Sequence, residues 1–185
     1  MKYVPNWVPI SVAGGNISES GFNAYEELAL VFAVIIEHIE EMLKRGYKIE
    51  EFAYKLSGIN LNGYTDFFEN IAKLRAARRM WYKILRERYG CKDDRACHLR
   101  IHYLTSGSTL TRQQPLNNIA RAAIQALAGV LGGAQSMGIT PFDEALTIPS
   151  ELAHLTSLQI HHILEEEANV AWVVDPLAGS YFVEN

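Results

Sequence analysis

Apolar positions along this chain fall into long stretches of helical spacing, separated by short apolar runs bounded by glycine or asparagine. Trp7–Ala13 (WVPISVA) is β-rich and ends at Gly14-Gly15-Asn16, which predicts a strand followed by a loop. Ser18 and Ser20 offer N-caps to a helix over about residues 21–45. Phe22, Tyr25, Leu28, Phe32, Ile35, Ile39 and Met42 would form its buried stripe, and Gly46 is placed to end it in a left-handed cap. Ile49–Leu56 predicts one or two further helical turns, Ser57–Leu61 a short strand, and Asn62-Gly63 a turn out of it. A helix follows from about Asp66 to Tyr89, with Asp66 and Glu69 spaced as a capping box. Phe68, Ile71, Leu74, Trp81 and Leu85 lie near one stripe that Arg78 interrupts, and Gly90 follows the last turn. Leu99–Thr105 predicts a third strand and Pro115 to about Leu131 a helix, proline being a good first-turn residue. Ala134–Met137 is a very short fourth strand, and Pro149–Ala168 a fourth long helix with Pro149 or Ser150 at its start. The tail VAWVVDPLAGSYFVEN is apolar and turn-rich, without a helical period.

The order is β-α repeated four times, which predicts an α/β fold with a parallel sheet and helices packed against it. A closed (β/α)8 barrel takes about 250 residues, so four units correspond to half of one. A doubly wound open sheet is disfavoured because no Gly-x-Gly-x-x-Gly turn follows a strand. A half-barrel leaves two sheet edges and an apolar face uncovered, so a partner chain or self-association is expected. In barrels the chemistry gathers at strand ends, here Asn16, Ser57–Asn62, His102–Ser106 and Gln135–Ser136. His102 can act as a general acid or donate to a substrate carbonyl, or it can be structural. Gln135 and Ser136 can bind a ligand or satisfy loop backbone, and Asp143 and Glu144 read as helix-start acids.

Composition narrows the classes without choosing a reaction. The 185 residues support one domain, 1–185, with 49% apolar and 21% charged residues, an ordinary globular balance. A net charge of −4 argues against nucleic acid as a partner, since phosphate binding needs a basic surface. Lys73, Arg75, Arg78, Arg79, Lys83, Arg86 and Arg88 make one helix basic, either as a solvated face or as a contact for a phosphate-bearing ligand or a partner subunit. Cys91 and Cys97 lack further ligands at zinc spacing and read as reduced thiols of a cytosolic protein, with no metal site. Lys2, Pro5 and Asn6 do not open a signal peptide, and Leu28–Ile36 is the nearest approach to a membrane span, so a soluble, cytoplasmic protein is expected. No Ser-His-Asp order, paired metal carboxylates or P-loop emerges.

At HYLTSGSTLTRQQPLNN, LGGAQS, FDEAL, IPSE, LEEEANV and VVDPLAGSYFVE the chain resembles the large subunit of methylmalonyl-CoA mutase and its acyl-CoA mutase relatives. The usual family text is close to H-x-Q-T-S-G-x-S-L-T-x-Q-x-P-x-N-N, then G-G-T-Q-S, D-E-A and D-P-x-x-G-S-Y. EEFAYKLS at 50–57 and IAKLRAARRMW at 71–81 fit as well. The resemblance spans essentially the whole chain and implies the C-terminal half of the family's substrate barrel, without its cobalamin-binding domain. It implies an acyl-CoA thioester as substrate and adenosylcobalamin as the source of a radical that moves a thioester-bearing group between neighbouring carbons. On its own such a piece would be inactive, so it would be an isomerase only with other chains; the alternative is a non-catalytic scaffold or an acyl-CoA-binding half-barrel that self-associates.

Carried over by position, His102 matches the substrate-pocket histidine, and Lys55 and Ser57 an Arg-Leu-Ser segment on the CoA ester. Gln135 and Ser136 match pocket residues, and Glu144 an acid near the adenosyl ribose. The departures are equally specific. Asn16 stands for a histidine expected on the thioester carbonyl, and Gly15 for the tyrosine beside it. On the cofactor side Leu104 replaces a glutamine and Thr140 an asparagine, and Gly138 stands where the resemblance implies a nearby histidine. Lys55 keeps a charge but loses the bidentate fork of arginine.

Overall fold

The computed structural model describes residues 7, 8 and 10–184. Pro9, and the residues on which the signal-peptide expectation rests, lie outside them. The fold is α/β, with four parallel strands in the order β1-β2-β3-β4: β1 (Val12–Ala13), β2 (Gly58–Gly63), β3 (Arg100–Thr105) and β4 (Ser136–Gly138). Helices separate successive strands, as in half of a (β/α)8 barrel. The chain divides into two compact units, one comprising residues up to Asn60 with Ala76–Ile101, the other Leu61–Arg75 with His102 onward.

In the first unit the expected loop at Gly14-Gly15-Asn16 is instead α1 (Gly14–Glu19), and the strand before it shrinks to two described residues. Ser18 and Ser20 do not cap the next helix. Their hydroxyls donate back to carbonyls within α1, Ser18 to Gly14 and Gly15 and Ser20 to Asn16. The cap of α2 (Ala24–Lys44) is Asn23, whose side chain accepts from the Glu26 amide while the Glu26 carboxylate accepts from the Asn23 amide. The cap lies deeper in sequence than expected, which leaves Phe22 and Tyr25 exposed. Leu28, Val31, Phe32, Ile35 and Ile39 form the buried stripe. Gly46 (φ +86°) closes the helix, with the Tyr47 amide reaching the Met42 carbonyl and the Gly46 amide that of Leu43.

α3 (Ile49–Leu56) follows as expected. α4 (Phe67–Lys83) widens into a π-type turn at Ile84–Arg88, where the Tyr89 amide reaches back five residues to Ile84. Trp81 is fully buried, stacked near Phe32 with ring centroids 6.4 Å apart, and its indole N–H donates to the Ala96 carbonyl at 2.9 Å. That carbonyl belongs to α5 (Asp94–Cys97), one turn that the sequence reading lacks.

In the second unit Asn62-Gly63 continues β2 rather than turning out of it. The Asp66 carboxylate accepts from the Glu69 amide at 3.0 Å, as the capping spacing predicts. Phe68 falls off the buried stripe and meets Phe67 and Phe182 edge-on. A single short 3-10 turn, Gly107–Thr109, follows β3. α6 (Asn117–Leu131) starts two residues after Pro115 and packs Ala122 and Ala126 with Ile139 and with Ile160 of α7 (Glu151–His162). Ser150 caps α7 through the Ala153 amide, and a second π-type turn, Ile163–Glu167, extends it. The tail holds one helical turn, α8 (Tyr181–Glu184), whose Val183 packs with Ile71 and Ala128.

The basic face of α4 is less solvated than its composition suggests. Lys73 is buried and donates to the Asn62 carbonyl. Arg75 pairs with Asp175 and Glu184, Arg86 with Asp94, and Arg88 with Glu40. These cations tie neighbouring elements together.

Candidate functional site

Strand pleat sorts the side chains of β3. Ile101, Tyr103 and Thr105 alternate with Arg100, His102 and Leu104 along β3. Tyr103 and Met137 face α6, because a Cβ on Gly129 would lie 2.5 Å from the Tyr103 ring and 3.2 Å from the Met137 sulfur. The opposite face carries His102 and Leu104, paired in register with Ser136 and Gly138 of β4. There His102 Nδ1 lies 2.8 Å from the Ser136 hydroxyl. The histidine is therefore in mid-strand, not at a strand end, and its ring is oriented by the neighbouring strand. Gln135 precedes Ser136, and its amide donates to the Gly133 carbonyl at 2.9 Å.

Beyond the C-terminal ends of β3 and β4 the backbone is held by side chains. The Thr140 amide donates to the Thr105 hydroxyl at 2.8 Å, and the Thr140 hydroxyl donates to the Thr105 carbonyl. Gln125 of α6 accepts from the Ser106 amide at 3.1 Å and donates to the Thr109 hydroxyl at 2.7 Å. Asn118 accepts from the Thr111 amide and donates to the carbonyls of Thr111 and Phe142. Much of the polar run after β3 is thus spent on fixing its own loop. Gly107 opens a notch beside it: a Cβ there would sit 3.1 Å from Glu144 Cγ and 3.6 Å from Thr140 Cγ2. Glu144 itself is exposed. Asp143 is buried and accepts from the Ser150 amide at 2.9 Å. Burial pushes its carboxyl up, but the hydrogen bonds from Ser150 outweigh this and hold it below the usual aspartate value.

Asn16, Lys55 and Ser57 lie in the first unit. Asn16 is exposed on α1. Lys55 is buried at the end of α3, its ammonium donating to the Trp7 carbonyl at 3.2 Å. It lines a largely apolar cavity of about 220 Å³ with Ile10, His38, Met42, Phe52 and Leu56. Ser57, just before β2, donates its hydroxyl to the Tyr54 carbonyl at 2.7 Å. Lys55 and Ser57 therefore sit at the N-terminal end of a strand, Asn16 after the C-terminal end of one. Cys91 and Cys97 are buried free thiols, and burial pushes the Cys97 thiol up, away from thiolate reactivity.

Gly107, Gln125 and Asn118 were not singled out by the sequence. A signal for two of them was present: Asn118 and Gln125 are seven apart, so both fall on the stripe of Ala122 and Ala126.

Parallel βα units whose sheet bears a histidine–serine pair on the face opposite α6 define an α/β protein of the half-barrel type. A sequence model described as Methylmalonyl-CoA mutase matches residues 1–185, and the chain belongs to that family. It is 42% identical over 183 residues to the 2-hydroxyisobutanoyl-CoA mutase large subunit of Aquincola tertiaricarbonis, covering 99% of this chain and 32% of that protein. It is 40% identical to the methylmalonyl-CoA mutase of Escherichia coli (strain K12), covering 98% of this chain and 25% of the relative. Against the mitochondrial methylmalonyl-CoA mutase of Homo sapiens the identity is 39%, covering 99% and 24%. The chain thus spans a quarter to a third of the length of these relatives. No described helix is long and apolar enough to cross a membrane.

Proposed function

We propose that this chain supplies acyl-CoA-handling βα units to an adenosylcobalamin-dependent acyl-CoA mutase, together with polypeptide that carries the remaining parts. The observation that carries the reading is the His102–Ser136 pair on the sheet face opposite α6 in a mutase-family chain. A Ser136 hydroxyl that donates to Nδ1 leaves Nε2 carrying the proton, so a neutral imidazole can donate to a thioester carbonyl. Gln135 would serve the acyl end, whereas Lys55 and Ser57, expected at the CoA end, are buried and already donate to the Trp7 and Tyr54 carbonyls. A cytoplasmic setting belongs to the same proposal and suits the two free thiols.

The residues toward the cofactor fit it in part. The Gly107 notch and the exposed Glu144 carboxylate suit acceptance of ribose hydroxyl protons. Thr140 fits less well, because its hydroxyl is spent on the Thr105 carbonyl. When bound, adenosylcobalamin supplies the radical that starts the 1,2-rearrangement. This chain's own His102, oriented by Ser136, would position the thioester carbonyl.

The test is isomerisation of acyl-CoA esters by the complete protein, with adenosylcobalamin added and products resolved by mass spectrometry. His102→Ala is expected to lower kcat by about 100-fold or more, the usual cost of a lost carbonyl donor. An undiminished rate would sink the role. A second reading, acyl-CoA binding without rearrangement, is favoured by the commitment of Thr140; bound ester with no isomerised product on any substrate would support it.

A further inference from the structure

Asn118, in the first turn of α6, is fully buried, and its amide makes all four hydrogen bonds open to it. Its Oδ1 accepts from the Thr111 amide at 3.0 Å and from the Arg121 guanidinium at 2.7 Å. Its Nδ2 donates to the Thr111 carbonyl at 2.9 Å and to the Phe142 carbonyl at 2.8 Å. Turned over, the amide would set N–H against N–H and oxygen against two carbonyls, so a single orientation is selected. Thr111 belongs to the loop that leaves β3, and Phe142 to the loop that leaves β4. One side chain of the intervening helix therefore holds both loops.

Each loop has further tethers around this joint. Gln125 takes the Ser106 amide and the Thr109 hydroxyl, so the β3 loop is held on either side of Gly107. Further along, Gln114 has a φ of +51°, a left-handed conformation that a residue with a Cβ keeps where its surroundings impose it. In the β4 loop Thr140 is bonded to Thr105, and Asp143 to the Ser150 amide. The Glu144 amide donates to the Pro141 carbonyl at 3.1 Å, closing a turn that contains Phe142. Asn118 thus ties that turn to α6, and the Glu144 side chain emerges from it against Gly107.

We infer that Asn118 is a positioning residue: by joining the two loops it sets the Glu144 carboxylate over the Gly107 notch, where a ribose hydroxyl would be received. The inference rests on the reading of Glu144 given above and deepens it. The task needs two donors and two acceptors on one planar group, which among small side chains is an amide. Aspartate in its place would keep the Oδ1 contacts but turn its second oxygen on two carbonyls.

The experiment is hydrogen–deuterium exchange of the complete protein, read by mass spectrometry over residues 106–114 and 140–150. Asn118→Ala is expected to speed exchange about tenfold or more in both segments, the order of a lost buried hydrogen bond. Asn118→Asp, which keeps the Thr111 amide bonded, is expected to speed 140–150 more than 106–114, and it carries the test should the alanine variant fail to fold. Asn117→Ala, at an exposed side chain that donates to Gln114, is the control expected to change neither. Equilibrium titration with adenosylcobalamin then separates positioning from plain support. Asn118→Asp and Glu144→Gln are each expected to raise Kd about tenfold. The double variant should bind no more weakly than the weaker single one. Losses that multiply in the double variant overturn the positioning role, because Asn118 would then act without Glu144. Exchange that rises in 106–114 alone, or in neither segment, overturns the joint between the loops. An affinity that Glu144→Gln leaves unchanged removes the cofactor reading of Glu144 and the positioning role with it, while exchange still decides the joint.

Discussion

At the scale of single residues, the second unit is arranged around one tyrosine. Tyr103 is fully buried, and its ring lies where side chains on Gly63 and Gly129 would otherwise be. Neither glycine has a positive φ, so both are present for room and not for backbone freedom. For Gly129→Ala two effects oppose each other. Alanine in mid-helix gains up to about 1 kcal/mol of propensity. A methyl 2.5 Å from the ring costs about 1–3 kcal/mol in forced repacking. Overpacking wins, and urea unfolding should show a net loss of about 1–2 kcal/mol. An unchanged midpoint would mean that Tyr103 has another rotamer available. Because His102 and Leu104 flank this tyrosine in β3, its fixed ring also fixes their face of the strand.

At the scale of elements, Tyr89 joins two helices of the first unit. Its hydroxyl donates to Glu40 of α2 at 2.7 Å, directly after the π-type turn that ends α4. Burial, aided by the Glu40 hydrogen bond, pushes the Tyr89 phenol up to about 12 from an ordinary 10.0. The folded state therefore holds the proton more tightly than the unfolded chain. The resulting stability is complete below pH 10 and is lost as pH rises from 10 toward 12. Thermal melts across that window should fall less steeply for Tyr89→Phe than for the native chain. Parallel curves would remove the contact from the stability of α2 and α4. At neutral pH, Asn23→Ala should cost about 1 kcal/mol through loss of the α2 cap, read as a shift in urea midpoint.

The same elements show what the sequence could and could not reveal. The stripe Leu28–Ile39 and the terminator Gly46 were legible because helical period and left-handed caps are local properties. The start of α2 was not, because Ser18, Ser20 and Asn23 are all competent caps and only the Glu26 partner decides between them. α5 escaped because four residues carry no period. The site divides in the same way. Resemblance pointed to His102, Ser136 and Glu144 one by one. The pairing of His102 with Ser136 spans 34 residues and exists only once the strands are in register. The commitment of Thr140 to Thr105 is equally non-local.

At the scale of the whole molecule, the chain matches the three relatives named above over nearly all its own length but over 24–32% of theirs. Ile148, Leu152, Leu155, Trp172, Val174 and Tyr181, all late in the second unit, are more than half exposed. Scattered apolar exposure is ordinary, but this concentration is typical of surface that another polypeptide covers. Leu152→Glu with Leu155→Glu should reduce self-association, or association with the polypeptide proposed above, as measured by light scattering. An unaltered mass in both settings would show that this face takes no part in assembly.

The pairing of β3 with β4 acts as an encoder. In a pleated strand a displacement of one residue exchanges the two faces completely. A slip of that size would drive the His102 imidazole into the space lined by glycines and turn the Tyr103 phenol to the face opposite α6. Both errors are opposed at once, by a ring that fits no other slot and by the two threonines that lock Thr105 to Thr140. Chemical identity on this sheet is therefore stored as alignment: the same residues, one step out of phase, would present a different surface.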